Sequence, residues 1–111
     1  MPKKADKKHA YEDAGAFTVS KGVLTAHTDM YWEFLEEFDA ACDRLLESRK
    51  NKLEVDLSAV NFISSSFVGC LGNFVINASR LKKRIVLKVS LDVSWLFDIM
   101  GGQKIIELEV I

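Results

Sequence analysis

The chain has 111 residues, a formal net charge of −1 and a hydrophobic share of 49%. Such a length and apolar share suit one compact domain around a single core. The fifteen basic and sixteen acidic residues nearly cancel, so no global field draws the chain to nucleic acid or anionic lipid. Its apolar runs are far shorter than the roughly 20 residues that cross a bilayer, which excludes a transmembrane protein and direct membrane insertion.

Residues 1–14 are polar, with Lys3, Lys4, Lys7 and Lys8 set against Asp6, Glu12 and Asp13. They read as a flexible, solvated N-terminal arm, with one domain following over residues 15–111. The positive start has no apolar stretch behind it, unlike a secretion signal, so a cytoplasmic location is expected.

Ala16–Val19 and Val23–Ala26 flank Ser20-Lys21-Gly22, the pattern of a hairpin around a glycine turn. From about Asp29 to Lys50 the spacing predicts a long helix. Tyr31, Phe34, Leu35, Phe38, Ala41, Cys42 and Leu45 form its buried stripe. Thr28 or Asp29 would cap it, and early glutamates with late Arg49 and Lys50 suit its dipole. Beside the apolar stripe runs an acidic one of Glu36, Asp39, Asp43 and Glu47, either a solvated face or a surface for a basic partner.

Leu53-Glu54-Val55-Asp56-Leu57 alternates as a strand should. Val60–Ile63 then leads to Ser64-Ser65-Ser66 and a second helix running to about Arg80. That helix buries Phe67, Leu71, Phe74, Val75, Ala78 and Leu81. Gly69 and Gly72 inside it predict close packing or the close approach of a partner. The basic Arg80, Lys82, Lys83 and Arg84 bridge to a strand over Ile85–Val89. A short helix from Asp92 to Met100 would bury Val93, Leu96, Phe97 and Met100. Gly101-Gly102 ends it before a last strand over Ile105–Val110. The resulting order, β-β-α-β-α-β-α-β, predicts an α/β domain with a mixed, largely parallel sheet and helices mainly on one side.

Conventional catalytic motifs do not occur, whether glycine-rich phosphate loops or a nucleophile elbow. His9 falls in the arm and His27 near the first helix, and neither has a neighbour to orient it. Cys42 and Cys70 sit in apolar, periodic segments and read as inert free thiols rather than a disulfide. Two histidines and two cysteines in scattered contexts lack metal-ligand spacing. Neither enzymatic activity nor a metal or cofactor is expected. Asp56, at a strand end, reads as an acceptor of turn hydrogen bonds. Ser64, Ser65 and Ser66 sit where a loop gives way to a helix start, a place suited to a cap or to an anion such as a phosphoryl group.

Leu53-Glu54-Val55-Asp56-Leu57-Ser58 and Phe62-Ile63-Ser64-Ser65-Ser66-Phe67-Val68-Gly69 resemble the signature of the STAS domain, named for sulfate transporters and anti-sigma-factor antagonists. The likeness extends over about residues 16–111. It implies a single STAS-like domain without chemistry of its own, acting as an anti-sigma-factor antagonist in signal transduction and transcription regulation. The partner would be an anti-sigma factor or serine kinase. The implied phosphoacceptor is Ser65. Asp56, Ser64, Ser66, Phe67 and Gly69 would flank it on the partner-binding surface. Two positions depart from the family pattern: Ser64 replaces the motif aspartate, and Phe67 replaces its first glycine. Phe67 either packs inward or anchors a partner. These departures keep a second reading open, a non-phosphorylated adaptor subunit of a transporter or scaffold complex, such as one for lipid ABC transport. A module that senses a small ligand is a third. Family members often add a final helix that is not present before Ile111, and the sheet left less covered predicts possible self-association.

Overall fold

In a computed structural model, residues 15–95 and 106–110 are described. Strands β1 (Phe17–Ser20), β2 (Val23–Ala26), β3 (Lys52–Leu57), β4 (Arg84–Val89) and β5 (Ile106–Val110) form one sheet in that spatial order. β1 and β2 pair antiparallel, whereas β2 to β5 run parallel. Parallel neighbours need long crossovers, and helices α1 (Leu35–Leu46) and α2 (Ser65–Arg80) supply the first two. This is the mixed, largely parallel α/β domain that the alternation of the sequence predicts.

The alternation of each strand decides what faces the helices. Leu24 and Ala26, then Leu53, Val55 and Leu57, then Ile85, Leu87 and Val89 are all buried in the core. Phe38, Ala41, Cys42 and Leu45 from α1 meet them, as do Phe67, Leu71, Phe74, Val75 and Ala78 from α2. The intervening strand residues line the opposite face. There Lys52 pairs with Glu107 at 2.9 Å and Lys88 with Glu54 at 3.2 Å. The hydrogen bond and charge of Lys52 hold the Glu107 carboxyl below its usual range, and those of Glu54 raise the Lys88 ammonium.

The first helix is shorter than its sequence pattern suggests. Residues Trp32–Phe34 form a 3-10 turn, and α1 proper begins only at Leu35. The cause lies upstream, where Met30 forms a parallel bridge to Ile63. The Met30 N–H donates to the Phe62 carbonyl at 2.8 Å, and the Ser64 N–H donates to the Met30 carbonyl at 2.9 Å. Asp29 is drawn to the same loop, its Oδ1 accepting the Asn61 N–H at 2.7 Å, and it does not cap the helix. Extended pairing therefore outcompetes helix over residues 29–31. Tyr31, expected in the buried stripe, is 44% exposed as a result. At the other end, the Lys83 ammonium takes the Ser48 and Lys50 carbonyls at 2.7 and 2.6 Å, holding that stretch outside the helix.

Leu81, also assigned to a buried face, is exposed at the end of α2. Of the short helix expected from Asp92, the described part is a 3-10 turn, Leu91–Val93, with Val93 buried. Leu96, Phe97, Met100 and the Gly101-Gly102 stop lie outside the described residues, as do His9 and the arm over residues 1–14.

Candidate partner-binding site

Ser64 stands at the N-cap position of α2, with φ −74° and ψ 157°. Its carbonyl accepts the Phe67 N–H at 3.0 Å, closing the first turn. Its hydroxyl makes no cap bond and is buried without a hydrogen-bond partner. Ser65 and Ser66 follow as the first two helical residues, both exposed. No acidic residue lies in that first turn, so the positive end of the helix dipole faces outward there without a carboxylate of its own.

Phe67 packs inward. Only 1% exposed, its ring lies 5.1 Å from that of Phe38 and 6.4 Å from that of Phe17. Of its two possible placements the core one is found, so the side chain offers no surface to a partner. Asp56 is half-buried, and its Oδ1 accepts both the N–H and the hydroxyl of Ser58, at 3.0 and 2.6 Å. It thus closes the turn after β3, the ordinary role of a strand-end aspartate. The alternation of β3 turns it toward the face opposite the helices, away from the serines. The structure therefore gathers Ser64, Ser65, Ser66 and Gly69 on one helix start, and leaves Asp56 and Phe67 to structural tasks.

Nothing lies within 4 Å of a Cβ built on Gly69 or Gly72. The close internal packing expected of these glycines is not found, and their helix face is open. Gly69, Ser66, Cys70 and Asn73 form one wall of a groove of about 370 Å³, with Leu35, Glu36 and Asp39 of α1 opposite. Cys70 donates a hydrogen bond to Asp39 Oδ1 at 3.6 Å. Its hydrogen bond with the buried Cys42, reinforced by burial, raises the Cys42 thiol and keeps it protonated. Both cysteines are free, and Cys70 is only half-buried.

Sequence reasoning missed the aromatic half of this surface. Tyr31 stacks on Phe62 with ring centroids 5.1 Å apart, and Trp32 beside them is 72% exposed. The bridge at Met30 and Ile63, together with the Asp29 carboxylate, fixes both loops that carry these rings. The available signal was Trp32 itself, an apolar residue lying off the three-and-four stripe of the first helix. Tyrosine and tryptophan on a rigid surface are the residue types that dominate binding energy at protein interfaces.

Residues 14–101 match the family model described as Mlab, STAS domain. The chain belongs to the STAS-domain family. STAS domains are generally regulatory domains without enzymatic activity, and they typically act by contacting protein partners. No curated protein matches the sequence. Among the described residues no helix is long and apolar enough to cross a membrane, and no cluster of side chains is arranged to hold a metal ion. In this STAS domain the helix start carrying Ser65 is tied to the loops that bear the exposed rings, since the Ser64 N–H donates to the Met30 carbonyl and Phe62 is stacked on Tyr31.

Proposed function

We propose that this STAS domain is an anti-sigma-factor antagonist-like regulatory module that docks on an anti-sigma factor or serine kinase. Ser65 is the residue whose phosphorylation switches the complex. The observation that carries this reading is the exposure of Ser65 on the first turn of α2, three residues along the chain from Phe62, whose ring stacks on Tyr31. A partner seated there would bury the aromatic rings, a source of affinity, and would cover Ser65, a means of control. A phosphoryl group on Ser65 would bring about −1.5 to −2 charges. The next residue, Ser66, lines the groove whose opposite wall carries Glu36 and Asp39. The helix dipole would stabilise the phosphoryl group locally, while its bulk and charge would exclude a partner fitted to a neutral serine.

One observation favours a second reading, a constitutive adaptor subunit of a transporter or scaffold complex. Where the family motif carries aspartate this chain has Ser64, whose hydroxyl is buried and unpartnered, so the acceptor lacks its acidic neighbour. The two readings part in one experiment. Wild-type, Ser65→Ala and Ser65→Asp baits are used to capture partners from native extract, and the affinities are then measured. The switch predicts a kinase or anti-sigma partner bound by wild type and Ser65→Ala. Ser65→Asp should bind at least about tenfold more weakly, about 1.4 kcal/mol. Equal retention of a transporter ATPase or scaffold by all three assigns the domain as an adaptor.

A further inference from the structure

At the end of the sheet opposite Ser65, three loops meet where β3 and β4 begin. They are the hairpin turn at Lys21-Gly22, the stretch Ser48–Asn51, and the turn after α2 at Leu81–Lys83. The Glu54 N–H donates to the Gly22 carbonyl at 2.9 Å, and the Arg84 N–H donates to the Asn51 carbonyl at 2.8 Å. The buried Lys83 anchors the middle loop through its two carbonyl contacts. A Cβ on Gly22 would come within 2.8 Å of Lys50 Cδ, so the Lys50 stem lies across the hairpin turn. The loops form a fixed platform.

This platform carries Lys21, Arg49, Lys50, Arg80, Lys82 and Arg84, all exposed and none in an ion pair with a described residue. Nearby acids are fewer. Among the described residues, Glu54 and Glu107 are engaged by Lys88 and Lys52, which leaves Glu47 and Glu109. The overall charge is close to balanced, but this pole is strongly positive.

Two of its lysines sit where the backbone disfavours them. Lys21 has φ 53° and Lys82 has φ 62°, and they are the only described non-glycine residues with positive φ. Lys21 occupies the first central position of a two-residue hairpin turn, a place for asparagine or glycine. Lys82 follows the end of α2, where the Lys83 N–H reaches back to the Ala78 carbonyl at 2.9 Å, so it holds the position usually given to glycine. Neither lysine gains an ion pair in exchange. A local rule broken without internal compensation marks a functional position.

Between Arg80 and Lys82 stands Leu81, 54% exposed. An apolar side chain ringed by cations fits the boundary between lipid headgroups and acyl chains. Nucleic acid fits less well. These loops carry no aromatic residue on which a base can stack, and the exposed Leu81 at their centre has no apolar counterpart on a phosphate backbone. We propose that this pole is a peripheral docking surface for an anionic phospholipid bilayer, its cations on headgroup phosphates and Leu81 at the interface. The Ser65 surface at the other end of the sheet would then stay free for a protein partner.

The test is co-sedimentation of the full chain with phosphatidylcholine vesicles, with and without phosphatidylglycerol, across a range of salt. Wild type should bind only the anionic vesicles, less so as salt rises. The double variant Lys21→Asn/Lys82→Gly suits both turns, so its Tm should rise while vesicle affinity falls at least about tenfold. Leu81→Ser should weaken binding and keep its salt dependence, and Ser65→Asp should leave it unchanged. Several outcomes overturn the proposal: equal binding to neutral vesicles, no binding at all, undiminished binding or a lower Tm in the double variant, or binding to DNA in place of vesicles.

Discussion

Ser64 shows how a residue can hold a position without performing its usual task. Its extended backbone and its place before α2 are those of an N-cap. Removing an ordinary serine cap costs about 1 kcal/mol, because the hydroxyl satisfies a helix N–H. Here the Phe67 N–H is already taken by the Ser64 carbonyl, and the hydroxyl is buried with no partner. Replacing it removes a desolvated polar atom and breaks no hydrogen bond. Ser64→Ala should therefore change stability by less than about 0.5 kcal/mol in urea unfolding. A loss near the ordinary cap value would show that the hydroxyl rotates to cap the helix in solution. The same result bears on the neighbouring residue, since a helix start that does not depend on this hydroxyl can receive a phosphoryl group on Ser65 without first losing a cap.

At the scale of elements, α2 carries an internal cost that its neighbours do not offset. Each helical glycine is about 1 kcal/mol less favourable than alanine, and neither Gly69 nor Gly72 has an atom within 4 Å of its missing Cβ. Gly72→Ala should stabilise the domain by about 0.5–1 kcal/mol in the same unfolding assay. Gly69→Ala should stabilise it similarly, and because Gly69 lines the groove beside Ser66, it should also weaken the partner complex. No change in partner affinity would remove Gly69 from the docking surface. Most elements were legible in the sequence because one local rule governs each. Alternation in Leu53–Leu57 gives a strand with a buried face, and the three-and-four spacing from Phe67 to Ala78 gives an amphipathic helix. The start of α1 was not legible, because a bridge to Ile63, thirty-three residues beyond Met30, decides it. Once residues 29–31 are extended, Tyr31 leaves the stripe. The exposed aromatic surface is thus a consequence of long-range pairing, which local periodicity does not encode. Ser65 and Ser66 were legible as a helix start, whereas Phe67 was not separable into core or surface until its neighbours were in place.

At the scale of the whole molecule, the candidate docking surface and the core meet in consecutive residues, and substitutions can separate them. Phe67 joins β1, α1 and α2, through ring contacts to Phe17 and Phe38 that themselves stand 5.3 Å apart. Truncating a fully buried phenylalanine costs about 3–5 kcal/mol, a large part of the roughly 5–15 kcal/mol that holds a domain together. Phe67→Ala should therefore lower Tm by about 15 °C or more. Because its ring contributes no surface, the molecules that remain folded at low temperature should bind the partner with nearly wild-type affinity. Trp32→Ala should do the reverse. Its side chain is 72% exposed, so stability should hold within about 0.5 kcal/mol. Partner affinity should fall by about 2 kcal/mol or more if Trp32 is an anchor of the interface. Thermal unfolding and partner titration on the two variants check both halves. Parallel losses of stability and binding in both would mean that the aromatic loops act only as packing, and the partner surface would then lie elsewhere on the domain.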